Sequence, residues 1–290
     1  MSIHIESFYD EPTSTLTYVV ADMDSKDAVV IDPVRDFDPA SGAVSFENAE
    51  HVARFIDAKQ LRLRAVLETH AHADHLSGAP FFKDRYGARV AIGARITEVQ
   101  EVFKGVFDLD DGFKTDGSQF DVLLKDGEVF QAGTIRVEVM HTPGHTPACA
   151  TYKIDDAVFT GDALFMPDQG VGRCDFPKGD AAALYASVHG RLYALPDATR
   201  VFVGHDYQPD GRPLAFETTI GASKRSNVQL TAELPMAAFV DKRQARDRSL
   251  AAPRLLFPSV QVNIDAGRLP RPSASGGRFL KMPVREARRS

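Results

Sequence analysis

The octapeptide Glu68-Thr69-His70-Ala71-His72-Ala73-Asp74-His75 follows directly on the apolar run Ala65-Val66-Leu67. The apolar run reads as a buried strand. Three histidines and one carboxylate then crowd into the six residues from His70 to His75. Such a group is costly to desolvate unless a cation balances it. The segment therefore predicts a strand whose end delivers several rigidly held side chains to a metal ion.

Three more apolar stretches end the same way. Residues 137–140 lead into His141-Thr142-Pro143-Gly144-His145-Thr146, Val158-Phe159 into Thr160-Gly161-Asp162, and residues 201–203 into Gly204-His205-Asp206-Tyr207. His4, His51 and His189 have no such neighbours and read as ordinary surface or core histidines. Asp162 next to Gly161 also suits a plain turn, and His141 suits support of its own loop.

Strand-like segments rich in Val, Ile, Thr, Tyr and Phe fall at 15–21, 28–31, 64–68, 89–92, 135–140, 149–154, 157–160 and 200–203. Helical spacing joins Ala49, Val52, Ala53 and Ile56, and again Ala181, Leu184, Tyr185, Val188 and Leu192 behind a capping Asp180. Pro213 suits the first turn of a further helix. Asp27-Ala28-Val29 leads to Asp32 much as Asp156-Ala157-Val158 leads to Asp162. That echo fits two similar halves packed sheet on sheet with helices outside, a four-layer α/β arrangement. Residues 105–117 carry four aspartates and three glycines and read as a long surface loop, a candidate cover for the site. Residues 1–212 are read as the layered catalytic domain and 213–290 as a helical and irregular extension packed on it.

Composition sets the outer limits. The chain has 290 residues, 43% hydrophobic and 26% charged, enough for a large core. No apolar run is long enough to span a membrane, and the first residues lack the basic and apolar stretches of a leader. Two cysteines, Cys149 and Cys174, argue against a disulfide framework and for a reducing, cytoplasmic setting. Residues 241–290 hold twelve Lys/Arg against four Asp/Glu, a balance of +8 that leaves −14 on residues 1–240. Apolar residues such as Leu255, Phe257, Val260 and Ile264 are mixed into this basic end. The expectation is therefore a tail folded back on an acidic body, with no nucleic-acid partner.

The motifs His70-x-His72-x-Asp74-His75, Thr142-Pro143-Gly144-His145-Thr146, Thr160-Gly161-Asp162 and His205 together resemble the metallo-β-lactamase superfamily over about residues 15–210. That resemblance implies an αβ/βα sandwich with a metal site at one edge of the sheets. A narrower resemblance, to bacterial persulfide dioxygenases, rests on five stretches. They are Asp10-Glu11-Pro12-Thr13-Ser14-Thr15-Leu16-Thr17-Tyr18, Asp116-Gly117-Ser118-Gln119-Phe120, Gly161-Asp162-Ala163-Leu164-Phe165-Met166-Pro167-Asp168, Arg173-Cys174-Asp175-Phe176-Pro177 and Pro258-Ser259-Val260-Gln261-Val262-Asn263.

The narrower resemblance implies one Fe(II) per chain, held by His70, His145 and Asp162. His72, Asp74, His75 and His205 then bond to the ligands or to water and do not bind the iron. It implies glutathione persulfide and dioxygen as substrates, sulfite and glutathione as products, a role in sulfide detoxification, and a homodimer. Arg173, Tyr207 and Arg212 are candidates for the glutathione carboxylates. Against this stand a dizinc glutathione thioester hydrolase resembling glyoxalase II, for which every ligand type is present, and a non-catalytic persulfide or metal sensor. Cys174-Asp175-Phe176 after Arg173 favours the dioxygenase pattern.

Overall fold

The structure is a computed structural model and describes residues 2–284. In chain order the first half comprises β1 (Ile3–Asp10), β2 (Thr15–Asp22), β3 (Asp27–Ile31), β4 (Val34–Asp38), β5 (Ala43–Ser45), α1 (Glu47–Ala58), β6 (Arg62–Glu68), β7 (Leu76–Ser77), α2 (Ala79–Tyr86), β8 (Arg89–Gly93), α3 (Ile96–Val106) and β9 (Val122–Leu124). The second half comprises β10 (Val129–Ala132), β11 (Ile135–His141), β12 (Ala150–Ile154), β13 (Ala157–Phe159), α4 (Ala181–Ser187), β14 (Arg200–Phe202), β15 (Glu217–Thr219), α5 (Ile220–Ser226), α6 (Met236–Asp247) and α7 (Leu256–Asn263). Two six-stranded sheets result, in the orders β1-β2-β3-β6-β8-β9 and β10-β11-β12-β13-β14-β15, with a small β5-β4-β7 sheet beside the first. This is the four-layer αβ/βα sandwich expected from the motifs.

Strand periodicity explains the layering. Alternate side chains point to opposite faces, and in the central strands both faces are covered. Leu16, Tyr18 and Val20 of β2, Val29 and Ile31 of β3, and Ala65 and Leu67 of β6 face the core between the sheets. Their neighbours Val19, Ala21, Ala28, Val30 and Val66 face a second core, shared with α1, α2, α3 and α7. Central strands therefore read as near-continuous apolar runs.

The halves repeat one plan. β3 pairs antiparallel with β2 and parallel with β6, and β13 pairs antiparallel with β12 and parallel with β14. A buried tyrosine in each half crosses to the other sheet. Tyr18 Oη donates to the Val203 carbonyl at 2.6 Å, and Tyr152 Oη donates to the Glu68 carbonyl at 2.7 Å. Each bond pins a strand end one residue or two before a histidine loop.

Several expectations need correction. Pro213 starts no helix: residues 213–216 are irregular and lead into β15, and the next helix, α5, starts at Ile220 with Thr219 as its cap. β15 also completes the edge of the second sheet, so the layered unit runs past the expected boundary at 212. The segment after α3 lies on the outer helical layer, with Phe107 buried in that core, Phe113 packed against it and the Asp108 carbonyl held by Lys281. Asp180 does cap α4, accepting from the Ala183 N–H at 2.8 Å. Within the described residues the basic end folds back: Val260, Ile264 and Ala266 join the helical-layer core. No described helix is long and apolar enough to cross a membrane.

Candidate metal centre

The loops after β6, β11, β13 and β14 meet at one edge of the sandwich. His70 Nε2 or Nδ1, His145 and Asp162 offer ligand atoms that all lie within 4.8 Å of one another. His70 and His145 are 1% and 3% exposed. Asp162 reaches them because Gly161 takes a left-handed turn (φ 48°), and a Cβ there would lie 2.5 Å from Thr69 Oγ1. Pro143-Gly144 brings His145 in: Gly144, at φ 143°, touches α4 so closely that a Cβ would lie 2.4 Å from Leu184.

Hydrogen bonding fixes which nitrogen of each ring carries its proton. Thr69 Oγ1 donates to Asp32 Oδ2 at 2.7 Å, so it can only accept from His70 Nδ1 at 3.0 Å. His70 Nε2 is left bare, and it has no hydrogen-bond partner. Burial, reinforced by His72 and His145, holds the His70 pKa well below the usual histidine range, so the ring is neutral. His145 Nδ1 donates to the Arg173 carbonyl at 2.7 Å, and its Nε2 lies 3.4 Å from Asp162 Oδ2. Asp162 Oδ1 is buried without a donor. The bare His70 nitrogen and the donor-free Asp162 oxygen are costly to bury together unless a cation lies between them. The residues therefore fit a metal ion: two histidines, each with Nδ1 hydrogen-bonded and Nε2 left to face the group, and one carboxylate with a donor-free oxygen.

The remaining histidines surround this group. His72 Nε2 bonds Asp32 Oδ1 at 3.0 Å and lies 3.4 Å from Glu68 Oε2. Burial opposes a charge on His72, but Asp32 and Glu68 outweigh it and raise its pKa well above the usual value. His75 Nδ1 bonds Asp74 Oδ2 at 2.9 Å, and Thr15 Oγ1 donates to the same oxygen at 3.1 Å. His205 Nδ1 lies 3.2 Å from the Ser14 carbonyl, while Nε2 faces Asp162 Oδ1 at 3.3 Å and Asp74 Oδ2 at 3.6 Å. Burial lowers the His205 pKa, but the two carboxylates more than offset it, so Nε2 calls for a proton or a metal. His72 Nδ1 and His75 Nε2 are also buried without partners, and His72, Asp74 and His75 form a second group whose ligand atoms lie within 4.8 Å of one another.

The three candidate substrate contacts differ. Tyr207 is 56% exposed and its ring lies parallel to His205 at 5.6 Å. Arg173 makes a two-pronged bridge to Asp175 at 2.6 and 2.7 Å and donates to the Ala251 carbonyl. Arg212 bonds Asp168, Asp206 and the Pro213 carbonyl through all three of its nitrogens. Those bonds occupy its five N–H donors, so Arg212 clamps two loops and has no donor left for a substrate. Both cysteines are buried and free. Burial pushes the Cys149 thiol up to about 12 and the Cys174 thiol higher still, so neither is a ready nucleophile.

Sequence reasoning missed Asp32, Thr69, Glu68 and Thr15, which hold the histidine loop. The echo between Asp32 and Asp162 was the available signal. Ser14, in the β1–β2 turn, and Thr15, the first residue of β2, lie in the resembling stretch Asp10–Tyr18, but their distance in sequence from the histidine loop hides their contact with it.

With this geometry in place, the comparisons with known proteins are informative. The profile of the metallo-beta-lactamase superfamily matches residues 10–205, and the chain belongs to that superfamily. It is 46% identical to a probable metallo-hydrolase of Burkholderia pseudomallei, over 97% of this chain and 98% of that protein. It is 31% identical to the mitochondrial persulfide dioxygenase ETHE1 of Homo sapiens, over 71% of this chain and 69% of that protein. The crystal structure of ETHE1 from Myxococcus xanthus superposes with a TM-score of 0.74 at 30% identity, covering 92% of this chain and all of that one. The chain spans 64% of the length of three further curated relatives, named beta-lactamase hydrolase-like proteins.

Proposed function

We propose that the chain is an iron-dependent persulfide dioxygenase that converts glutathione persulfide, dioxygen and water to sulfite and glutathione. The observation that carries this reading is the convergence of His70, His145 and Asp162, with ligand atoms within 4.8 Å of one another and with His70 Nε2 and Asp162 Oδ1 buried without a hydrogen-bond partner. Two histidines and a carboxylate on one face are the ligand set of non-haem Fe(II) oxygenases. Iron held there would supply dioxygen activation beside a sulfur bound at the positions the protein leaves free. The likeness to persulfide dioxygenases in sequence and fold supports the same reading.

The chain's own residues have defined tasks. Thr69 and the Arg173 carbonyl keep the His70 and His145 lone pairs turned inward. Tyr207 stands at the exposed side of His205 and offers a ring and a hydroxyl to an incoming peptide thiol. Arg173 is the remaining candidate for a carboxylate, in exchange for part of its bridge to Asp175. In the overall balance both oxygen atoms end on the outer sulfur, and water cleaves the sulfur–sulfur bond to leave sulfite and the thiol. Two free buried thiols suit a reducing compartment such as the cytoplasm.

A second reading, a dizinc thioester hydrolase, is favoured by one observation: His72 Nδ1 and His75 Nε2 also lack partners. An oxygen electrode tests the first reading. Glutathione persulfide should drive steady oxygen uptake with one sulfite formed per dioxygen consumed. No uptake, together with hydrolysis of a glutathione thioester, would replace it with the second; no turnover of either substrate would leave a sensor.

A further inference from the structure

The loop that carries most of the metal-competent side chains is held by a residue from the far end of the chain. Asn263, the last residue of α7, is 4% exposed. Its Nδ2 donates to the His72 carbonyl at 2.9 Å and to the His75 carbonyl at 2.8 Å. Its Oδ1 accepts from the Ser77 N–H at 2.8 Å. One side-chain amide thus uses both donors and its acceptor on three backbone groups within six residues, and no other side chain type offers that pattern at this length.

We infer that Asn263 is a positioning residue for the metal centre, setting the backbone of the His72–Ser77 turn and so the directions of His72, Asp74 and His75. It lies outside residues 10–205, the span matched by the superfamily. Its own placement is firm. Val260 and Ile264 are buried on either side of it in the helical-layer core. The Ile264 carbonyl accepts from Gln100 Nε2 at 2.9 Å. The C-terminal segment is by this inference part of the metal site's scaffold. Groups bonded directly to a metal ligand commonly change metal affinity by about 10- to 100-fold when removed; His72, Asp74 and His75 border the three proposed ligands, so an effect relayed through them is smaller.

The inference rests on the metal-site reading, and the test separates the two. Metal-free full-length protein is titrated with Fe(II) under nitrogen and with Co(II), whose visible spectrum reports ligand geometry. Wild type, Asn263→Ala, Asn263→Asp and Gln261→Ala are compared, and the melting temperature of each metal-free protein is measured in parallel. Asn263→Ala should weaken metal binding by about 3- to 10-fold, less than loss of a group bonded directly to a ligand, and alter the Co(II) spectrum. Asn263→Asp should not restore either, because a carboxylate keeps the acceptor for Ser77 but cannot donate to the two carbonyls. Gln261→Ala, on the same helix, should bind as wild type does. If Asn263→Ala lowers only the melting temperature and leaves metal affinity and spectrum as in wild type, the inference is overturned. If Asn263→Ala does not fold, Asn263→Asp decides: wild-type affinity and spectrum there overturn the inference equally. Failure of the wild type to bind either metal would instead sink the metal-site reading itself.

Discussion

Asp32 and Asp162 follow matching strands of the two halves, yet one holds the fold and the other waits for a cation. β3 and β13 have the same neighbours in the same directions. Counted from Asp27 and Asp156, the residues in register are Asp32 and Gly161, and both turn left-handed at φ 48°. In the first half that position is itself the aspartate. Its oxygens accept from the Thr69 N–H at 2.7 Å, Thr69 Oγ1 at 2.7 Å and His72 at 3.0 Å. In the second half glycine takes the turn, and the aspartate follows one residue later. It then faces His145 and His205 with Oδ1 unbonded. A one-residue offset between equivalent turns separates a structural carboxylate from a metal ligand. Buried carboxylates are therefore best sorted by whether donors already surround them.

The comparison breaks most sharply at Asp162. Asp162→Ala removes the anionic ligand, so metal retention should fall by about 100-fold or more, read by metal analysis of the purified protein. The metal-free protein should melt close to wild type, because the cost of burying the carboxylate is relieved while His205 loses one of its two facing carboxylates. Retained iron would show that Asp162 is not a ligand.

Asp32→Ala should do the opposite to the fold. It leaves the Thr69 N–H, Thr69 Oγ1 and His72 without their acceptor, and loss of one partner from such a buried network costs about 3 kcal/mol. Urea unfolding of the metal-free protein checks this. An unchanged midpoint would remove the proposed contrast.

A smaller effect concerns the other end of the matched strands. Asp27 is 2% exposed and takes Arg64 Nε at 2.7 Å and the Thr134 N–H at 2.9 Å. Burial raises its pKa, but Arg64, Thr134 and Arg62 outweigh that and hold it below the usual carboxylate range. A pKa depressed in the native state adds stability above the unfolded value, near 4, that is lost as pH falls through the native value. Asp27→Asn should therefore be less stable than wild type by about 1–2 kcal/mol at neutral pH, and the gap should close in acid. Asp156, its counterpart, is an exposed partner of Arg200 at 3.9 Å, and Asp156→Asn should change neither stability nor its pH dependence. Unfolding midpoints between pH 3 and 7 would show whether the halves differ here.

The smallest effect is expected at Arg173→Ala. The Arg173 backbone carbonyl, which holds His145, survives the substitution, so iron should stay bound while the substrate KM rises by about 3- to 10-fold, the loss of one carboxylate contact. Unchanged kinetics would make the Asp175 bridge its whole role.

Much of this plan was legible in the chain. The long central strands are buried on both faces, and β2, β3, β6 and β12 fall within two residues of their expected bounds. The candidates His70, His145 and Asp162 could be named because each comes shortly after an apolar stretch, in β6, β11 and β13 respectively. β1 was missed because its residues are half-buried along most of its length and show no clear alternation. β4, β5 and β7 form a small three-stranded sheet with little apolar signal of their own. The fate of Arg212 could not be read, since its partner Asp168 is 44 residues away. Asn263 was legible only as part of a resembling stretch: its task depends on carbonyls nearly 190 residues earlier.

The central claim is a single metal ion on one face of three ligands, and the most direct test is the identity and stoichiometry of metal in protein purified without oxygen. The account predicts one iron per chain, lost in Asp162→Ala. Two zinc ions per chain, engaging His72 and His75 as well, would contradict it.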